Sequence, residues 1–208
     1  MFVKICGITG VEDAAAAIGQ GASALGFVFW PKSPRYVEPR LARRIVDTMM
    51  PSVEAIGVFV NQAPDEVNGI AEEVGLGAIQ LHGEEGAEYI KQMKRRVVKA
   101  IAVGHGPVPA LSQWPKDVTI LLDVHDPVRR GGTGHVIDWV AANHIARHRE
   151  IILAGGLTPE NVADAIKSVQ PWGLDVSSGV EASPGIKDHA RLRALFEAVH
   201  GSHYATRS

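Results

Sequence analysis

Short apolar, β-branched runs alternate with amphipathic stretches from one end of the chain to the other, the pattern of repeated strand–helix units on a parallel sheet. Residues 2–6 read as a first strand and 11–19 as an alanine-rich helix. A second strand over 24–29 has 41–50 helical behind it. A third runs over 55–60 (AIGVFV), and NQAPDEV then supplies turn residues and a proline for the first turn of the next helix. The fourth strand is 78–82 with a helix near 84–93, and the fifth is 97–102 with a short helix up to Trp114. The sixth is 119–124 with a helix over 137–146. The seventh is 151–154, after which LTPENV begins a helix with Thr158 as cap and Pro159 in the first position; the eighth is 173–176, and 189–199 closes the chain.

Eight such units in 208 residues match the count and roughly the minimum size of a (β/α)8 TIM barrel, the α/β fold predicted here for a single domain over 1–200. Residues 201–208 are expected to fray. An open doubly wound sheet is disfavoured, because the first turn, Gly7-Ile8-Thr9-Gly10, lacks the Gly-x-Gly-x-x-Gly fingerprint.

Alternation puts Lys4 and Cys6 on one face of the first strand, and likewise Gln80 with His82, Leu121 with Asp123, and Asp175 with Ser177. Inward residues at the C-terminal strand ends line the mouth where barrel enzymes place their chemistry, and polar groups there are costly to bury without partners. Cys6, Asp123 and His82 are therefore candidate site residues, with His82 equally readable as a structural hydrogen-bonder and Asp175 of similar status. Lys4 reads equally as a helper of the chemistry or as half of a buried ion pair. Gly155 and Gly156 after the seventh strand, with Ser178 and Gly179 after the eighth, predict a phosphate site, since small residues let N–H groups converge on an anion. The loop with Gly131, Gly132 and Gly134 is expected to fold over a ligand.

Composition excludes several classes. The chain is 46% hydrophobic and 21% charged, with a formal net charge of -2, which gives no general attraction to polyanions. The clusters Arg40, Arg43, Arg44 and Lys94, Arg95, Arg96 read as solvated helix faces or ends, so neither nucleic acid nor a membrane surface is expected as a partner. A single cysteine forms no intrachain disulfide, and the nine histidines show no metal-binding spacing, so no metal is expected. No apolar run reaches membrane-spanning length, and the N-terminus lacks a signal-peptide core. A cytoplasmic location follows as the expectation.

KICGIT (4–9), GFVF (26–29), PKSPRYV (31–37), IGVFVN (56–61), QLHG (80–83), LLD (121–123), GGTG (131–134) with IDW (137–139), LAGGLTPENV (153–162) and LDVSSGVEASPGIKD (174–188) together resemble the phosphoribosylanthranilate isomerase family, over nearly the whole chain. Ile137 stands where the family often has Phe. The resemblance implies a phosphate-binding TIM barrel of tryptophan biosynthesis. Its reaction converts N-(5-phosphoribosyl)anthranilate to 1-(2-carboxyphenylamino)-1-deoxyribulose 5-phosphate by an Amadori rearrangement. It further implies Cys6 as general base, Asp123 as general acid, Arg35 against the anthranilate carboxylate, and the Gly155, Gly156, Ser178 and Gly179 loops on the phosphate. The substrate's own amine supplies an iminium, so no cofactor is expected. Asp123 can act as acid only if its pKa is raised, and Cys6 as base only if its thiolate is accessible near neutrality. The expected partner is a small-molecule phosphosugar, and the protein is expected to be a monomer or homodimer. Two alternatives stay open: the aminoaldose isomerase of histidine synthesis, disfavoured because it would need paired aspartates at strands one and five, and a non-catalytic phosphate-ligand-binding barrel.

Overall fold

Each strand sorts its residues into two sets, and the sorting builds two nested cores. The computed structural model describes residues 1–103, 111–123 and 139–205. Its strands β1 (Phe2–Cys6), β2 (Ala24–Val28), β3 (Glu54–Phe59), β4 (Ala78–Leu81), β5 (Arg96–Ala102), β6 (Thr119–Asp123), β7 (Ile151–Ala154) and β8 (Gly173–Val176) pair in parallel and in order. β1 also pairs with β8, which closes the barrel. Around it lie α1 (Val11–Gly19), α2 (Pro39–Val46), α3 (Pro64–Val74), α4 (Ala87–Ile90), α5 (Trp139–Ala146), α6 (Val162–Val169) and α7 (His189–Ala205). The expected eight-stranded TIM barrel is what forms.

The outer core lies between strands and helices. Ile5, Leu25, Phe27, Phe59, Ile79, Leu81, Leu122 and Leu153 face outward from their strands and pack with Ala17, Ile45, Val67, Val74, Ala165 and Leu195 of the helices. Each large side chain so buried contributes about 1.5–3 kcal/mol, which is why the bulky set points this way. The inner set is smaller and more polar. Ala24, Ile56 and Ala78 form one inner cluster, Val98, Ala100, Leu121, Ile152 and Ala154 a second, and Cys6, Val28 and Val58 a third that reaches the mouth beside Trp30.

Several boundaries differ from the pattern-based ones for local reasons. α2 starts at Pro39, a favoured first-turn residue, and ends at Val46, beyond which the Thr48 hydroxyl donates to the Ile45 carbonyl in a turn. α4 keeps only four residues of the expected 84–93 helix, because the Glu85 carboxylate accepts N–H bonds from Asn61 and Gly83 and holds the chain before it in a loop. The segment 158–161 is a turn rather than helix. The Thr158 hydroxyl accepts from the Glu160 N–H, Asn161 reaches back to accept from the Thr158 N–H, and α6 begins at Val162. The closing helix runs on to Ala205, past the expected end at Val199. After β8 a 3₁₀ turn (Ser178–Val180) leads into a hairpin of β9 (Glu181–Ser183) and β10 (Ile186–Lys187), an element that the sequence pattern does not disclose.

Candidate active site

The C-terminal strand ends open onto a cavity of about 490 Å³ lined by Cys6, Arg35, His82, Asp123, Gly155, Gly156, Asp175, Ser178 and Gly179, while Lys4 lies beneath it. Val28, Trp30, Val58, Val60 and Leu157 complete an apolar wall.

Lys4 and Asp175 stand directly opposite one another on β1 and β8. The Lys4 side chain is fully buried, and its Nζ donates to both Asp175 oxygens at 2.9 Å. It is thus half of an ion pair, and it also meets the Cys6 thiol two residues along on the same face. Burial works against its charge, yet the Asp175 and Cys6 partners leave its pKa raised. Burial likewise pushes the Cys6 thiol up from its ordinary value, against the opposing pull of Lys4 and Lys187. Gly26 of β2 makes the room: a Cβ there would sit 2.8 Å from Cys6 Sγ and 3.0 Å from Lys4 Nζ.

Across the mouth, Asp123 at the end of β6 shares a 3.0 Å hydrogen bond between its Oδ2 and His82 Nε2, and Gln80 Nε2 lies 3.0 Å from His82 Nδ1. This wall is wetter, with side-chain exposures of 22% for Asp123 and 34% for His82. With Gln80 Nε2 donating to Nδ1, His82 carries its proton on Nε2 and gives it to Asp123, and Gln80 Oε1 is buried without a partner among the described residues.

Behind this wall lies a buried clamp absent from the sequence reading. Lys99 Nζ donates to Glu85 Oε2 at 2.8 Å and to the Gly83 carbonyl at 2.6 Å, fixing the backbone just past His82.

At the opposite rim, Gly155 and Gly156 have φ of 95° and 61°, a left-handed path open to glycine, so the chain turns tightly after β7. At Gly179 a Cβ would run into the Leu157 carbonyl, so here the backbone of this loop lies directly against that of the loop after β7. The N–H groups of Gly156 and Gly179 carry no hydrogen bond among the described residues, as an anion site requires.

Arg35 follows β2 and gives Nε and Nη2 to Glu181 of β9 at 2.8 and 2.6 Å. Glu181 also accepts from Lys187 Nζ at 2.9 Å, and Lys187 donates to the Cys6 carbonyl at 2.6 Å. Burial opposes the Glu181 charge, but Arg35 and Lys187 hold its pKa below the usual carboxylate range. Glu181 and Lys187 were visible only as letters of the LDVSSGVEASPGIKD motif; without the hairpin nothing points them at the site. The glycine loop 131–134 lies outside the described residues, with His105, His125, Asp126, His135 and Ile137. Among the described residues, no group of three or more His, Cys, Asp or Glu could hold a metal ion, and no helix is long and apolar enough to cross a membrane.

Comparison with known proteins bears on this arrangement. Residues 3–198 match the family model described as N-(5'phosphoribosyl)anthranilate (PRA) isomerase. The chain is 49% identical over 194 residues to N-(5'-phosphoribosyl)anthranilate isomerase of Citrifermentans bemidjiense, covering 93% of this chain and 94% of that one. The crystal structure of phosphoribosyl anthranilate isomerase from Thermotoga maritima superposes with a TM-score of 0.89 at 44% identity, covering 97% and 99% of the two chains. A second solved structure of such an enzyme, in complex with reduced 1-(o-carboxyphenylamino)-1-deoxyribulose 5-phosphate, gives a TM-score of 0.86 at 42% identity with the same coverage.

Proposed function

The chain belongs to the N-(5'-phosphoribosyl)anthranilate isomerase family, and we propose that it carries out that family's Amadori rearrangement, within tryptophan biosynthesis, with Cys6 as general base and Asp123 as general acid. The observation that carries this reading is the placement of these two groups. β1 and β6 are not neighbours in the barrel, so Cys6 and Asp123 face one cavity from different walls, as a sugar protonated on one side and deprotonated on the other demands.

Asp123 gives a proton to the ribose ring oxygen, the C1–O bond breaks, and the anthranilate nitrogen's lone pair forms the C1=N bond of an iminium. Cys6, as its thiolate, then takes the C2 proton and becomes the thiol, and the C2–H electrons become the C1=C2 bond of an enolamine as the nitrogen recovers its pair. Transfer of a proton to C1 and loss of one from the C2 hydroxyl leave the ketone, with no net oxidation. Burial resists ionisation of the Cys6 thiol, whose proton leaves to solvent, and the positive iminium beside it favours the thiolate. Abstraction is thus favoured once the ring has opened. No cofactor or metal enters these steps.

Arg35 takes the anthranilate carboxylate. Gly155, Gly156, Ser178 and Gly179 take the phosphate. Every one of these groups comes from one chain, so a monomer and a homodimer serve equally. The partner is a small phosphosugar rather than nucleic acid or membrane, and the chemistry suits the cytoplasm, where a lone thiol stays reduced.

Loss of anthranilate fluorescence from freshly generated substrate tests the assignment. Cys6→Ala and Asp123→Asn are each expected to lower kcat about 10²- to 10⁴-fold. An active Cys6→Ala would move the base elsewhere, and a wild-type protein that binds without turnover would mark the barrel as a binder.

A further inference from the structure

Arg35 poses a problem that the proposed function leaves unsolved. A guanidinium matches a carboxylate best through two parallel N–H bonds. One such edge, Nε with Nη2, is already occupied by Glu181. Glu181 is not a loose competitor. Its side chain is 4% exposed and is held by Lys187 Nζ at 2.9 Å and by the Gly185 N–H at 3.3 Å. Lys187 is itself fully buried and tied to the Cys6 carbonyl, so the carboxylate cannot swing aside without leaving an unpaired buried ammonium.

We infer that Glu181 is a positioning residue for substrate recognition: it fixes the Arg35 guanidinium so that the outer edge, Nη1 with the second N–H of Nη2, is presented to the substrate's carboxylate. The inference rests on the proposed role of Arg35. Three further observations support it. The Arg35 stem lies over Gly7, whose missing side chain leaves room for it: a Cβ there would stand 2.6 Å from Arg35 Cδ, and the φ of 78° keeps that position glycine. The loop behind it is pinned by the Arg35 N–H on the Ser33 hydroxyl at 3.1 Å. Arg35, Glu181 and Lys187 also sum to one formal positive charge, so the pairing orients the guanidinium without cancelling the potential that an anionic ring substituent needs. A lone arginine on a loop would have to freeze its rotamers at each binding event, and here that ordering is already in place.

The test compares two substrates within each variant: phosphoribosylanthranilate, and the same phosphoribosylamine built on aniline, which lacks the carboxylate. The ratio of their kcat/KM values does not depend on how much of a preparation is folded, so partial misfolding does not enter it. Wild type prefers the carboxylate substrate, Arg35→Met removes that preference, and Glu181→Gln is expected to shrink it at least tenfold, through a rise in the KM of the carboxylate substrate relative to that of the aniline one. If Arg35→Met removes the preference while Glu181→Gln keeps the wild-type ratio, Glu181 does not position Arg35 and the inference fails alone. If Arg35→Met keeps the ratio, the carboxylate role of Arg35 fails, and the inference with it.

Discussion

The two walls of the mouth solve opposite problems. On the Cys6 wall the thiol, Lys4, Asp175 and Lys187 are all buried, so the charges next to the base act through little solvent. On the Asp123 wall the carboxylate and His82 are partly open to solvent and are joined to one another and to Gln80 by hydrogen bonds. A general base that must strip a carbon benefits from a dry, fixed field. A general acid that must be reloaded each turnover benefits from a path to water. Each wall leans on its own buried carboxylate–ammonium clamp, Glu181 with Lys187 on one side and Glu85 with Lys99 on the other.

If that contrast is right, the dry wall answers substitution with stability and the wet wall with rate. The largest effect is expected for Lys4→Met, which strands a buried carboxylate and should cost about 3–5 kcal/mol in denaturant unfolding. Lys4→Met combined with Asp175→Leu should recover most of that loss. A cost under about 1 kcal/mol for the single change would show the wall to be wetter than described. Gly26→Ala is next, with its methyl against Cys6 and Lys4, for about 1–3 kcal/mol of overpacking and a matching fall in turnover.

Acid sensitivity separates the clamps from the rest. Burial opposes the Glu85 and Glu181 charges, but their cationic and backbone partners hold both below the ordinary 4.5. Their contribution is complete above that value and is lost as pH falls through the lowered folded values. Denaturant midpoints at mildly and strongly acidic pH should therefore differ less for Glu85→Gln than for wild type, and an unchanged difference would remove the clamp from the account. For rate, the reacting pair must hold one proton between them, and the Cys6 thiol sits above its ordinary 9.0. The alkaline limb of kcat/KM should accordingly fall above that value; a limb below it would exclude Cys6 as the group reported. The smallest stability change is expected at His82→Gln, within about 0.5 kcal/mol, with kcat reduced.

Which residues face the mouth was legible because a period of two is a covalent property of a strand, and β1, β7, β8 and α1 have the bounds that their apolar runs indicate. Lys99 and Glu85 escaped notice because a lysine in VVKAIA and a glutamate in HGEEG look solvated until β4 and β5 are laid side by side. Glu181 and Lys187 escaped for a related reason: their roles depend on a hairpin that crosses to β1 and to the loop after β2, contacts spanning most of the chain. Gln80 and Asp175, by contrast, could be placed on the site face from register alone.

The Lys4–Asp175 pair also joins residues 171 apart at the seam where the first and last strands meet. During synthesis the N-terminal strand emerges long before its partner, so for most of that time Cys6 is an ordinary solvent-accessible thiol. Its shielding arrives with the final strand and the hairpin behind it, which makes the rate at which a thiol reagent labels Cys6 during refolding a built-in clock for closure of the barrel.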